Sequence, residues 1–184
     1  MFWHVEKVTK QNQMNNNWVM VDIEADGPAP GLYSMIELGA VVVEPGLTRS
    51  FYTSLQPISA DYNQEALNIT GHSRAQTLNF KQPLEAMMDF DKWLTDNISG
   101  QPRFISDNNG FDWQFVNYYC WQFLKRNPFG FSSQNLGSLY KGMKQDSRQN
   151  FKHLRKTAHT HNPVDDARGN AEAMLAMVHQ GFKF

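Results

Sequence analysis

The sequence predicts an α/β domain, a mixed central β-sheet flanked by helices. Three observations carry that reading. Residues 19–24 alternate strictly, with Val19, Val21 and Ile23 on one face and Met20, Asp22 and Glu24 on the other. Met35 to Val43 is a nearly continuous apolar run broken mainly by Glu37, as expected of a strand covered on both faces. Beyond residue 80 helical patterns take over, so strands first give way to alternating helix and strand.

In chain order, a Gly/Pro-rich loop, DGPAPG at 26–31, follows the first strand. Pro45-Gly46 turns the chain, and Arg49 to Leu55 reads as a third strand. Short connections among the first three strands predict an antiparallel start. Pro83 to Thr95 spaces Leu84, Met87, Phe90 and Leu94 as an amphipathic helix with proline near its start. Arg103 to Ser106 is a short strand. Phe111 to Arg126 reads as a helix crowded with aromatics. Phe111, Phe115 and Tyr119 are assigned to the core, and the surplus rings on the other side suggest a homodimer contact. Pro163 to Gln180 is the last helix, with Asn162 as N-cap, Pro163 at the first helical position and two acids in the first turn. Residues 1–17, ending in the polar QNQMNNN, are read as an N-terminal arm or edge strand, and residues 18–184 as the domain.

A chain of 184 residues can form one core without disulfides or structural metal. Its net charge of -1 argues against holding nucleic acid by bulk charge, but not against a local basic patch. Such a patch is present: Lys141, Lys144, Arg148, Lys152, Arg155 and Lys156 are opposed only by Asp146. We read it as a segment contacting substrate phosphates. Cys120 is the only cysteine, which excludes a disulfide framework and a cysteine-based zinc cluster and favours a reducing, cytoplasmic setting. His153, His159 and His161 match no usual zinc spacing. No stretch of about 18 apolar residues is present and the N-terminus lacks the apolar core of a secretory signal, so no membrane partner is expected.

The chemistry is concentrated in three acidic places. Asp22 and Glu24, two apart on a strand, leave the same face. Asp112 falls in the first turn of the aromatic helix, after Asn108. Asp165 and Asp166 open the last helix, five residues or fewer after His161. Each alone has a bland explanation, because acids in a first turn oppose the helix dipole. Converging, they would not be bland: two unit charges about 4 Å apart repel by roughly 4 kcal/mol at an effective dielectric near 20. Such a cluster needs protons or cations. An all-oxygen donor set suits Mg²⁺ or Mn²⁺, and two such ions can clamp the attacking and leaving oxygens of a phosphodiester. A histidine beside them can take a proton from water.

With VDIEADG, SDNNGFDWQF and HNPVDDA in that order, the chain from Trp18 onward resembles the DEDDh exonucleases, the DnaQ-like group of the ribonuclease H-like superfamily. IELGAVVV is similar to the family's second strand, ALNITGHS to the loop after its third, and EAMMDFDKWL to the helix before its second motif. The finer likeness is to small single-domain bacterial or phage members, including the exoribonuclease-like subgroup. The resemblance implies a ribonuclease H-like fold and removal of nucleotides from the 3′ end of single-stranded RNA or DNA. It implies Asp22, Glu24, Asp112 and Asp166 as ligands of two divalent cations, with Asp22 as the bridge, and His161 as general base. Ala25, Asp26 and Gly27 would line the terminal-nucleotide pocket, with Asn108, Lys152 and Arg155 as further substrate contacts. Asp107 stands where many members have histidine, and Pro163 where many have alanine. Two other readings share these residues. A superfamily endonuclease would not need His161 at this spacing, and a nucleic-acid-binding module with a silent site would bind without turnover.

Overall fold

The computed structural model describes residues 17–183; the expected arm at 1–17 lies outside them except for Asn17. Five strands form one sheet in the order β3-β2-β1-β4-β5. They are β1 (Trp18–Ala25), β2 (Met35–Val42), β3 (Ser50–Ser54), β4 (Arg103–Ser106) and β5 (Ser133–Asn135). The first three pair antiparallel, as the short turns predict, and β4 and β5 then add in parallel, so the sheet is mixed. Six α-helices accompany them among the described residues: α1 (Gln64–Ile69), α2 (Arg74–Thr77), α3 (Pro83–Asn97), α4 (Asn109–Tyr119), α5 (Leu136–Lys144) and α6 (Pro163–His179).

The alternation in β1 divides the core into two. Val19, Val21, Ile23 and Ala25 face α3 and α4, packing with Met87, Phe90, Phe115 and Tyr119. Trp18 and Met20 face α5 and α6, packing with Tyr140, Ala167, Ala171 and Met174. The sheet is therefore covered on both sides, which is why β2 is buried along its whole length. The polar members of β1, Asp22 and Glu24, share the face of Met20 and look toward α6.

Gly39 sets how closely α6 approaches. It lies directly opposite Asp22 in the β1–β2 register, and a Cβ built there would stand 2.3 Å from the carbonyl carbon of Pro163. A glycine inside an apolar central strand marks such a close backbone approach. The first turn of α6 thus rests on bare backbone beside Asp22. We expect Gly39→Ala to destabilise the fold by roughly 1–3 kcal/mol, the usual range for overpacking. It should also slow catalysis by separating Asp166 from Asp22. Urea unfolding and turnover, measured on the same preparation, check both.

The aromatic segment differs from its expected form. The α-helix begins two residues earlier than Phe111, and Cys120–Leu124 is a π-helical turn rather than a continuation to Arg126. Lys125 closes it in the left-handed region, with φ at 58°. Phe115 and Tyr119 are fully buried, and Phe111 is only partly so. The stretch resembling a loop after the third strand also carries two short helices. Asn63 caps α1 by accepting from Glu65 N–H and Ala66 N–H, and Ser73 and Gln76 form a reciprocal capping box on α2. No helix among the described residues is long and apolar enough to cross a membrane.

Candidate active site

The acids of β1 and α6 meet on the α6 side of the sheet. One carboxylate oxygen each from Asp22, Glu24 and Asp166 lie within 4.8 Å of one another. Asp166 reaches this place because α6 starts cleanly: the Asn162 side chain accepts from Val164 N–H and Asp165 N–H, and Pro163 occupies the first position. Asp165 turns the other way and accepts from the Thr160 hydroxyl at 3.2 Å. Asp112 comes from the first turn of α4, just past β4. Its Oδ1 accepts from Ile23 N–H at 3.3 Å, and its Oδ2 is buried with no hydrogen-bond partner. Asn108, at the start of the same helix, is exposed, and its carbonyl accepts from Phe111 N–H and Asp112 N–H.

Burial and mutual repulsion show in the proton affinities. The Asp22 carboxyl is held well above the usual range, first by burial and then by the charges of Asp112, Glu24 and Asp166, with Arg155 acting against them. Burial, then Glu37 and Asp166, push Glu24 from 4.5 to about 8. Burial pushes Asp112 from 3.8 to about 7, against hydrogen bonds from Ser106 and Ile23. The donor set is all oxygen, carries excess negative charge and leaves a buried lone-pair oxygen on Asp112. These residues fit hard divalent cations.

A prediction on stability follows. In the metal-free folded chain Glu24 and Asp112 keep protons that the unfolded chain releases near pH 4. The folded state then binds more protons, so stability falls as pH rises. The contribution is complete below about pH 4 and is lost as pH climbs through about 8, the folded value for Glu24. The full change should be on the order of a few kcal/mol. Thermal unfolding in EDTA should show the midpoint dropping between about pH 5 and pH 9, and saturating Mg²⁺ or Mn²⁺ should flatten the curve. A flat curve in EDTA would contradict the electrostatic description.

His161 lies at the mouth of this cluster, half-exposed, with Nδ1 3.8 Å from Glu24 Oε1. Its backbone is left-handed, φ 59°, which for a side chain other than glycine costs about 1–2 kcal/mol. Its N–H donates to Asp166 Oδ2 at 3.0 Å, which helps hold that conformation. Asp166 Oδ1 meanwhile accepts from Thr160 N–H at 3.3 Å and lies 2.8 Å from His159 Nδ1.

The expected substrate contacts are placed unevenly. Lys152 is exposed on a short 3₁₀ turn, Lys152–Leu154, and borders a cavity of about 320 Å³ between Asp107 and residues 155–159. Arg155, expected on substrate phosphates, instead turns inward: its Nη2 donates to Asp166 Oδ1 at 2.8 Å and its side chain is 10% exposed. Gly169 makes room for it, since a Cβ there would stand 2.5 Å from Arg155 Nε. Ala25 is buried. Asp26 is fully buried too, and its carboxylate is taken by Ser34 N–H at 2.5 Å and Arg74 Nη1 at 2.7 Å, so it does not face the surface. Gly27 packs under the Tyr33 ring. Residues missed from sequence complete the surroundings. Glu37, paired with Glu24 across the strands, accepts from the Tyr52 hydroxyl and lies 3.3 Å from His72 Nε2. Only the apolar context of Glu37 could have signalled it.

Known proteins resemble this chain in sequence and in fold. The sequence model of the RNase_T family, described as an exonuclease, matches residues 19–174. The chain belongs to this exonuclease family. A relative in Escherichia coli, the 3′-5′ DNA exonuclease Cap18, is 37% identical over 134 residues, 71% of either chain. The PolC-type DNA polymerase III of Thermotoga maritima is 26% identical over 176 residues, 88% of this chain but 12% of that protein. The nuclease domain of 3′hExo, a DEDDh member solved with rAMP, superposes with a TM-score of 0.73 at 16% identity, covering 92% of this chain and 94% of that one.

Proposed function

We propose that the chain hydrolyses phosphodiester bonds from the 3′ end of a single nucleic-acid strand, releasing nucleoside 5′-monophosphates. The observation that carries this reading is the meeting of Asp22, Glu24 and Asp166 beside His161, with Asp112 behind them. These four acids would hold two divalent cations, Mg²⁺ or Mn²⁺, with Asp22 between them. Bound there, the cations would stabilise charge on the attacking and leaving oxygens of the phosphodiester. His161, exposed at the mouth and flanked by Glu24, takes the proton of the attacking water. Lys152 and Lys156 offer charge to the strand's phosphates at the cavity edge. The relative Cap18 is a DNA exonuclease, so DNA is the polymer expected to be shortened faster.

The test is a time course on 5′-labelled single-stranded DNA and RNA of one sequence, with Mg²⁺, with Mn²⁺ and with EDTA. A metal-dependent ladder receding from the 3′ end is expected. Cutting of circular or 3′-blocked strands would point to an endonuclease, and binding without turnover to a silent site. The homodimer reading rests on Trp121 and Phe131, both exposed and stacked with ring centroids 6.5 Å apart. Sedimentation showing only monomer at micromolar concentration would remove it. A cytoplasmic setting is read from the single cysteine, which lies buried and forms no disulfide.

A further inference from the structure

His159 belongs to no step above, yet it stands against the same carboxylate. Its Nδ1 is 2.8 Å from Asp166 Oδ1, its ring packs edge-on against His161 with centroids 4.4 Å apart, and its side chain is 56% exposed. One ligand atom each from His159, His161 and Asp166 lie within 4.8 Å of one another, a second set that shares Asp166 with Asp22 and Glu24. The segment bearing the histidines is fastened at both ends to α6. Glu172 accepts from Lys156 N–H and Thr157 N–H, each at 2.7 Å, and from the Thr157 hydroxyl at 3.0 Å. Asp166 accepts from Thr160 N–H and His161 N–H. The two imidazoles are therefore presented by a braced loop rather than by a free one.

We propose that His159, His161 and Asp166 form a second metal site, selective for a borderline transition ion such as Zn²⁺, and that its occupancy switches the nuclease off. Two imidazole nitrogens and one carboxylate with a solvent-facing side are the donor set of a three-ligand, open zinc site, whereas Mg²⁺ prefers oxygen throughout. The ion would share Asp166 Oδ1 with Arg155 Nη2 at 2.8 Å and Thr160 N–H at 3.3 Å, and the three ligand atoms, now within 4.8 Å of one another, would close around it. Two ligands on one tetrahedral zinc, at about 2.0–2.2 Å from it, stand about 3.3 Å apart, so His159 and Asp166 must separate by only about 0.5 Å. The ion would stand between His159 Nδ1 and Asp166 Oδ1. The third apparent histidine, His153, lies elsewhere, against Tyr140; the carboxylate of α6 supplies the missing ligand. The switching effect rests on the role proposed for His161, because an imidazole nitrogen bound to metal cannot accept water's proton, and Asp166 would be drawn away from Asp22 and Glu24.

The test separates the site from the reading it rests on. Zn²⁺ alone is titrated into the metal-free full chain against a chromogenic chelator, and Co²⁺ is titrated in parallel for the visible absorption of a nitrogen-ligated tetrahedral ion. His159→Ala should weaken Zn²⁺ binding about ten-fold or more and abolish the Co²⁺ band, while Asp22→Asn should leave both in place. In Mg²⁺, His159→Ala should keep the wild-type rate and resist Zn²⁺ concentrations that stop the wild type. Equal Zn²⁺ affinity in wild type and His159→Ala would put the ion among the carboxylates and overturn the proposal. A chain that binds Zn²⁺ through His159 but shows no nuclease activity would sink the exonuclease reading and leave the metal site standing.

Discussion

Asp22→Asn is expected to slow nucleotide release about 10³-fold and at the same time to make the metal-free protein more stable. The side chain keeps its shape, so the fold on β1 is undisturbed. What is lost is one formal charge at the point where Asp112, Glu24 and Asp166 all press on it. If the bridging oxygen contributes roughly 4 kcal/mol of transition-state charge stabilisation, the rate falls about 10³-fold. Without metal, the same substitution removes a buried carboxylate that repels its neighbours by a few kcal/mol. Turnover under metal saturation and thermal unfolding in EDTA, side by side, read the two effects. A variant with near-wild-type rate would remove Asp22 from the site, and one with lower metal-free stability would contradict the repulsion.

His161→Ala is expected to lose on the order of 10²–10⁴ in rate while binding Mg²⁺ or Mn²⁺ nearly as well as the wild type. The split between rate and metal affinity is the diagnostic, because His161 stands beside Glu24 at 3.8 Å without belonging to the oxygen cluster. Metal-dependence curves of the two proteins should have the same midpoint and very different plateaux. A plateau equal to the wild type's would refute the base role. A displaced midpoint would mean that His161 shapes the carboxylates and does not move the proton.

What could be read from the sequence was local or periodic. The alternation of residues 19–24 placed Asp22 and Glu24 on one face, and β1 shows that face toward α6. The Asn-Pro start of α6 is a contiguous signal, and the cap hydrogen bonds are there. Helices of four and six residues, α2 and α1, are too short for a 3.6-residue period to show, and the three polar residues of β5 carry no strand pattern. A strand and two helix starts made the directions of the acids legible, and only the resemblance to the exonuclease motifs singled out Asp166 over Asp165. Arg155 was not. A basic run reads as a surface for phosphates, and only the empty Cβ position of Gly169, fourteen residues on, reveals a slot for the guanidinium. His159 was hidden for a related reason: the bracing that presents it comes from Glu172, thirteen residues later. Gly39 is the one such feature a reader could have found, as a glycine in an otherwise apolar strand.

The position of β1 has a further consequence. Paired with β2 along residues 19–25 and with β4 at residues 18–20, and with Val21 and Ile23 buried, β1 lies in the part of the molecule that opens only when the whole domain does. Residues 158–162 are exposed and are joined to the rest chiefly through α6. Amide hydrogen exchange should therefore divide the active site in two, with slow amides under Asp22 and Glu24 and fast ones around His161. A local opening of the second half would withdraw the proposed base while the acids stay assembled, so the proposed chemistry would pause without the carboxylate cluster coming apart.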